Sequence, residues 1–156
     1  MNFFHTNNCV IEKNVTIGDG TKVWYFSHIR ETAKIGVNCN IGDYVFIDRG
    51  VIIGDNVKIA NKVSIYAGTI IRDRVFVGNN VVFTNVRKPL TTRKGKRLDT
   101  IIGEDASIGA NSTVVAGVKI GKKSTIGEGS VVLYDIPDYT FAAGNPARVK
   151  KRYQNT

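Results

Sequence analysis

Aliphatic residues recur at every sixth position along most of this chain. The series runs without a gap, stops and then resumes, and its members are Ile11, Ile17, Val23, Ile29, Ile35, Ile41, Ile47, Ile53, Ile59, Ile65, Ile71, Val77, Phe83, Ile102, Ile108, Val114, Ile120, Ile126 and Val132. A small or β-branched residue lies two positions before most members, as at Val15, Thr21 and Cys39. This alternation predicts very short β-strands. Glycine follows many members, in segments such as IGDG and IGEG, and predicts turns between the strands.

A repeat of six residues is too short for a hairpin or for a strand with a crossover helix. We therefore predict an all-β chain that winds as a parallel β-helix of about six coils, roughly 30 Å tall at about 4.8 Å per stacked strand. The predicted β-helix domain covers residues 1–136 and is interrupted by a protruding loop at 86–99. Residues 137–156 are predicted to form a C-terminal extension that packs on the same domain as a short helix or tail.

The composition adds a strong positive charge. The 156 residues include 22 Lys and Arg against 13 Asp and Glu, a net charge of +9, which favours partners such as nucleotides or coenzyme phosphates. No segment resembles a signal peptide or is apolar for long enough to span a bilayer, so we expect a cytoplasmic protein without membrane association. Cys9 and Cys39 occupy inward positions of the repeat and are expected to be buried thiols without a disulfide.

The segment VFTNVRKPLTTRKGKRLDTII, residues 82–102, interrupts the repeat. A long loop in a repetitive fold is more often functional than not. We interpret this one as an arm that closes over an anionic ligand, either on its own subunit or on a neighbour; the alternative is a solvated loop. Its basic side chains are Arg87, Lys88, Arg93, Lys94, Lys96 and Arg97.

These repeats resemble those of the hexapeptide-repeat superfamily. The resemblance implies a left-handed parallel β-helix, in which three repeats, or 18 residues, complete one triangular coil. When the sequence is stacked by 18, two corners contain glycine and the third does not. The corner without glycine reads Glu12, Arg30, Asp48, Tyr66 and Thr84, followed outward by Lys13, Glu31, Arg49, Ala67 and Asn85. Because the loop leaves from this corner, we expect the functional site there.

The ending DIPDYTFAAGNPARVKKR resembles the tail of coenzyme-A-dependent acyltransferases of this superfamily. In that group the tail and the last coils form a coenzyme groove between the subunits of a trimer. The resemblance therefore implies a homotrimer that uses acetyl-CoA and no metal, and Lys and Arg would suit the coenzyme phosphates as charge-assisted donors. The implied coenzyme-binding residues are Ala116, Gly117, Ala142, Ala143, Asn145, Arg148 and Lys150.

Two further segments, VWYFSHIRETAKIGVNCNIG and VKIANKVSIYAGTIIRDRVFVGNNVVFTNV, resemble the N-acetyltransferases of nucleotide-linked 3-amino sugars. Those enzymes serve surface-polysaccharide synthesis, as in lipopolysaccharide O-antigen or S-layer glycan. The implied acceptor is a dTDP-3-amino-3,6-dideoxyhexose; this chain has Pro89-Leu90 where the family commonly has Pro-Arg, which favours a 6-deoxy sugar over a uronic acid. The resemblance implies catalytic roles for Asn85, His28 and Glu31 and substrate binding by Tyr66, Arg30, Arg49, Arg87, Arg93 and Arg97.

The chemistry of acetyl transfer favours an amine acceptor. The reaction needs an unprotonated amine near the thioester, a donor for the developing oxyanion and a proton for the thiolate. Transfer to a hydroxyl needs a stronger base, and the loop contains no His, since His5 and His28 are the only two in the chain. Structural roles are the alternatives: a bond to backbone for Asn85, a pair with Arg49 for Glu31, surface packing for His28, and cover of the helix wall for Tyr66.

Five alternative functions share some of these features. A UDP-3-amino uronate N-acetyltransferase and an O-acetyltransferase of the same superfamily are the nearest alternatives. A β-helical carbonic anhydrase needs three histidine ligands for zinc, and the chain has two. A nucleic-acid-binding module is disfavoured because no aromatic platforms lie among the basic residues. A noncatalytic scaffold would explain the repeat but neither the loop nor the tail.

Overall fold

The computed structural model describes residues 2–91 and 97–153, and these ranges form 22 short strands and no helix. None of the described residues forms a helix suited to crossing a membrane. The strands stack into three sheets, which are the three faces of a prism. The repeat dictates this arrangement, because each six-residue unit supplies one strand and one turn.

The three faces are named in the order in which the chain reaches them. The first face contains β1 (Phe4–His5), β4 (Lys22–Val23), β7 (Asn40–Ile41), β10 (Lys58–Ile59), β13 (Phe76–Val77), β16 (Ser107–Ile108), β19 (Thr125–Ile126), β21 (Thr140–Ala143) and β22 (Arg148–Arg152). The second face contains β2 (Val10–Ile11), β5 (His28–Ile29), β8 (Phe46–Ile47), β11 (Ser64–Ile65), β14 (Val82–Phe83), β17 (Thr113–Val114) and β20 (Val131–Val132). The third face contains β3 (Thr16–Ile17), β6 (Lys34–Ile35), β9 (Ile52–Ile53), β12 (Thr69–Ile71), β15 (Thr100–Ile102) and β18 (Lys119–Ile120).

The pairing confirms the parallel β-helix and its 18-residue coil. His28 pairs with Phe46 and Phe46 with Ser64, each in parallel. The second face has seven strands, so the chain makes about seven coils, one more than predicted, and the winding is consistent with the left-handed form. Val82 pairs with Thr113, 31 positions away, so the loop inserts 13 residues into an otherwise regular coil.

The aliphatic series fills the interior. Ile29, Ile47 and Ile65 stack above one another and are completely buried. Inward hydroxyl groups are satisfied by the backbone, as where Thr21 donates to the carbonyl oxygen of Gly36 at 2.8 Å. Both cysteines are free thiols; the predicted burial is confirmed for Cys39, whereas Cys9 is partly exposed. The function therefore has to lie on the outside of the prism.

The tail is extended, and the helical alternative for its basic segment is wrong. β22 pairs antiparallel with β21, which itself stacks on β19. The chain reverses at Gly144, whose φ is 109°. This turn is bonded to the end of the second face: the N–H of Val131 donates to Gly144 O, and the N–H of Ala147 donates to Val131 O. Backbone pairing on both sides of the turn outweighs the weak helical tendency of a short basic segment.

Candidate active site

The turns that follow the second face form one vertical edge, which we call the second corner. Backbone hydrogen bonds stack successive turns, so that Arg30 N donates to Ile47 O and Thr84 N to Val114 O. From bottom to top the corner consists of Glu12–Lys13, Arg30–Glu31, Asp48–Arg49, Tyr66–Ala67, Thr84–Asn85, Val115–Ala116 and Leu133–Tyr134. Residues predicted to bind the acceptor sugar lie in its lower turns, and residues predicted to bind the coenzyme lie in its upper turns.

A carboxylate joins the two lowest coils of the second corner. Glu12 Oε1 lies 2.7 Å from Nε2 of His28, and Glu12 Oε2 accepts a hydrogen bond from the N–H of Glu31 at 3.0 Å. Arg30 Nε lies 3.5 Å from the same Oε1. The backbone N–H of Glu31 and the hydrogen bond to His28 hold the pKa of Glu12 below its ordinary value. Sequence analysis placed Glu12 on this corner, 18 positions before Arg30, but gave it no role in the site.

A second carboxylate, Asp48, continues this network upward. Its side chain is nearly buried. Oδ1 accepts from Nη1 of Arg30 at 3.2 Å and Oδ2 accepts from the N–H of Ala67 at 3.2 Å. Arg49 Nη1 lies 4.0 Å from Glu31 Oε1. This is the ion pair that sequence analysis gave as the structural alternative for Glu31. Arg30 and Arg49, two of the five arginines predicted to bind substrate, therefore have carboxylate partners within the protein.

Aromatic rings cover the second face beside this network. Phe46 lies between His28, whose ring it meets edge-on at 5.8 Å, and Tyr66, whose ring centroid is 5.4 Å away. Tyr66 is still 37% exposed. Tyr66 therefore covers the wall of the β-helix, which is the structural role given above as its alternative. Part of its ring also remains exposed to a ligand.

Asn85 lies three coils above Glu31, at the start of the loop. At about 4.8 Å per coil this separation is roughly 14 Å. Within one chain the structure thus brings together His28, Glu31 and Arg30, and it does not bring Asn85 to them. Asn85 is partly exposed directly after β14. Its catalytic role stays a prediction, as do those of His28 and Glu31.

The loop arginines lie in different environments. Arg87 donates from Nε to the carbonyl oxygen of Ala116 at 2.9 Å and from Nη2 to that of Leu133 at 3.4 Å. Arg97 is exposed, and its stem lies beside Gly68. Arg93 lies outside the described residues. Their binding to a nucleotide stays a prediction.

The predicted coenzyme residues lie at the upper end of the second corner and on the tail. Ala116 is buried and its N–H donates to Thr84 Oγ1 at 2.9 Å, while the N–H of Gly117 donates to Thr100 Oγ1 at 3.0 Å. Arg148 lies with its guanidinium carbon 5.0 Å from the ring centroid of Tyr134, a cation–π contact that sequence reasoning missed.

The remaining coenzyme candidates differ in exposure. Ala142 is buried, and its carbonyl accepts from the N–H of Gly127 at 2.9 Å. Ala143 is partly exposed, and Asn145 and Lys150 are exposed. The tail thus offers solvent-facing polar and basic groups close to the top of the second corner.

A groove on the first face is separate from this corner. It has a volume of about 450 Å³ and is lined by residues that include Phe76, Asn79, Glu128 and Phe141. Of the predicted site residues that the structure describes, none lines this groove. Among the described residues, no group of three His, Cys, Asp or Glu side chains is placed to hold a metal ion.

Comparison with known proteins gives matches along most of the chain. The family described as bacterial transferase hexapeptide (six repeats) matches residues 50–85 and 99–133, and the hexapeptide repeat of succinyl-transferase matches 32–67. A curated relative, dTDP-3-amino-3,6-dideoxy-alpha-D-galactopyranose 3-N-acetyltransferase from Aneurinibacillus thermoaerophilus, is 52% identical over 95% of this chain and 77% of its own.

Two solved structures extend the comparison. A galactoside acetyltransferase in complex with coenzyme A is 30% identical, over 65% of this chain and 55% of its own, with a TM-score of 0.62. A UDP-N-acetylglucosamine acyltransferase from Bacteroides fragilis is 24% identical, over 96% of this chain and 60% of its own, with a TM-score of 0.82. The second likeness concerns the fold alone.

Proposed function

Since the chain belongs to the bacterial hexapeptide-repeat transferases, we propose that it is an acetyl-CoA-dependent N-acetyltransferase of a nucleotide-linked sugar. The proposed acceptor is the 3-amino group of a dTDP-3-amino-3,6-dideoxyhexose. One observation carries this proposal: the 52% identity to a 3-N-acetyltransferase of such a sugar spans 95% of this chain. The Pro89-Leu90 pair, which favoured a 6-deoxy sugar, agrees with that relative's substrate.

The coenzyme is proposed to lie along the upper second corner and the tail. A 30% identical galactoside acetyltransferase binds coenzyme A. In this chain Arg148 and Lys150 project basic groups from β22, and the guanidinium of Arg148 is held over Tyr134. Guanidinium and ammonium groups suit the phosphates of a coenzyme as charge-assisted donors.

The proposed reaction is direct attack of the sugar amine on the thioester. The amine nitrogen forms a bond to the acetyl carbonyl carbon, the carbon–sulfur bond breaks, and the proton lost by nitrogen ends on the coenzyme thiolate. Asn85 is proposed to orient the amine or the carbonyl oxygen, because it lies at the corner between the acceptor residues below and the coenzyme residues above. Tyr66 offers an exposed ring to the nucleotide or the sugar.

A homotrimer is proposed as the working assembly. Ile52, Ile70 and Ile101 are in register on the outside of the third face, where Ile70 pairs with both others. Ile52 remains 42% exposed. Three aligned isoleucines on a flat sheet surface suit a second copy of this chain. Such packing would bring the second corner near a neighbour, and the site would then lie between subunits.

The enzyme is proposed to act in the cytoplasm, because its two co-substrates would be cytoplasmic metabolites. Its proposed role is in the synthesis of a surface polysaccharide, such as lipopolysaccharide O-antigen or S-layer glycan.

The test is the release of free thiol from acetyl-CoA with a panel of nucleotide-linked sugars. The panel comprises a dTDP-3-amino-3,6-dideoxyhexose, a UDP-3-amino uronate and a 4-amino sugar. Thiol release with the first supports the proposal, and release with only one of the others would redirect it.

A further inference from the structure

The two ends of the inserted loop are tied to two consecutive residues of the coil above, one end to each residue. The N–H of Ala116 donates to Oγ1 of Thr84, just before the loop, at 2.9 Å. The next N–H along the chain, that of Gly117, donates to Oγ1 of Thr100, just after the loop, at 3.0 Å. Two consecutive amide groups therefore hold the residues on either side of the insertion.

Arg87 adds a third tie from within the loop. Its Nε donates to Ala116 O and its Nη2 to Leu133 O, so that one guanidinium bridges the two uppermost turns of the second corner. A planar guanidinium reaches two carbonyl oxygens at once, whereas the single ammonium of a lysine acts as a point donor. Hydrogen bonds from a charged group are also stronger than those between neutral groups.

The returning end of the loop packs into space left by glycines. Gly117 has a φ of 84°, and a methyl group there would lie 3.1 Å from the side chain of Leu98. Gly68 has a φ of 96°, and a methyl group there would lie 2.8 Å from the carbonyl oxygen of Leu98. The corner is thus shaped to receive the base of the loop, independently of any ligand.

We propose that Arg87 is a positioning residue. It fixes the base of the loop against the two uppermost turns of the second corner, at Ala116 and Leu133, and thereby also fixes Asn85, two residues before it. This assigns Arg87 to the protein's own backbone rather than to the nucleotide that sequence analysis predicted for it. The consequence for turnover rests on the proposed function, because it requires the acceptor at Asn85 and the coenzyme along that edge. The ties themselves lie within the protein and are measurable without any substrate.

Hydrogen exchange of the ligand-free protein tests the ties directly. In Arg87→Ala, amide exchange is expected to accelerate about tenfold or more over residues 84–91 and at Ala116 and Gly117, since two charged hydrogen bonds are lost there. The exchange rate in Arg87→Lys should lie between those of the unaltered protein and Arg87→Ala. The matched control is Arg74→Ala, which removes an arginine that lies 2.7 Å from Asp105 on another corner. It should leave exchange at the loop base unchanged.

Kinetics separate positioning from a general loss of stability. Arg87→Ala is expected to raise the KM for the amino sugar about tenfold and to lower kcat, while the KM for acetyl-CoA stays within about twofold. Misfolding would reduce the active fraction and leave both KM values unchanged. Millimolar guanidinium ion should restore part of the activity of Arg87→Ala and none to Arg74→Ala.

Unchanged exchange at the loop base of Arg87→Ala, together with weaker binding of dTDP, would overturn the proposal and make Arg87 a ligand-binding residue. If no 3-amino sugar is acetylated by the unaltered enzyme, the proposed function fails. The exchange measurement still decides whether Arg87 fixes the loop in that case.

Discussion

Asn85 is the residue on which the proposed chemistry depends most. Replacing Asn85 with Ala should lower kcat about a hundredfold or more, the usual cost of losing one group that orients or polarises the reacting carbonyl. The thermal midpoint should change little, since the side chain is partly exposed. Steady-state assays and thermal unfolding measure the two effects.

Asn8→Ala provides the control, because Asn8 is an exposed turn asparagine with no proposed role. It should match the unaltered enzyme in kcat. Full turnover by Asn85→Ala would remove Asn85 from the mechanism and would leave it the structural role of bonding to nearby backbone.

Glu12 gives a prediction about pH. Its pKa lies below the ordinary value because the N–H of Glu31 and the His28 ring stabilise the carboxylate. A lowered pKa adds stability above the ordinary carboxyl pKa, near about pH 4, and that stability is lost as the pH falls through the lower, folded-state value. The free energy of unfolding, measured with urea, should therefore fall more steeply between about pH 5 and pH 3 in the unaltered protein than in Glu12→Gln. Identical pH profiles for both proteins would contradict the assignment.

At the level of single residues, the sequence predicted neighbours correctly where residues 18 positions apart stack on one corner. Stacking by 18 placed Glu31 beside Arg49 and Asn85 above both, and the structure has the ion pair. It placed Glu12 and Thr84 on the same corner but assigned neither a contact, because their hydrogen bonds depend on the direction of the side chain. The contacts of Arg87 with the backbone could not be predicted, because a sequence shows the charge of a loop residue but not the carbonyl groups that the fold presents to it.

The loop is the element that separates this chain from a bare β-helix. Deleting residues 86–98 removes 13 residues and restores the 18-residue register between Val82 and Thr113. The closure of a short turn costs little, so the variant should fold with a similar thermal midpoint. Acetylation of the nucleotide sugar should be lost, because the deletion removes Arg87 and displaces Asn85.

Circular dichroism and the thiol-release assay check these outcomes separately. An unfolded deletion variant would show that the loop is part of the folding unit. A folded variant with full activity would show that the loop has no part in catalysis.

The strands and turns were predictable because every six-residue unit repeats the same local rule. The tail was less predictable, since it departs from that rule. Its basic sequence alone permits an extended or a helical form, and the choice is made by pairing with β21 and by the turn bonded to Val131. Those partners lie in other coils and leave no trace in the local pattern.

At the scale of the whole molecule, the isoleucine stripe predicts assembly. Ile70→Lys places a charge at the centre of the stripe between Ile52 and Ile101, and the proposed trimer should dissociate to single chains in sedimentation velocity. The strands should persist, since the side chain points outward. Thr16→Lys, at the end of the same face, is the control and should remain trimeric. A trimer that survives Ile70→Lys would place the interface on another face.

The central claim is acetyl transfer to the 3-amino group of a nucleotide-linked sugar. The most direct test incubates the protein with acetyl-CoA and dTDP-3-amino-3,6-dideoxygalactose and locates the new acetyl group in the product by NMR. We predict one acetyl group, on the nitrogen at C3, with one free thiol released for each product molecule. An acetyl ester on a sugar hydroxyl, or no product while coenzyme A still binds, would contradict the claim.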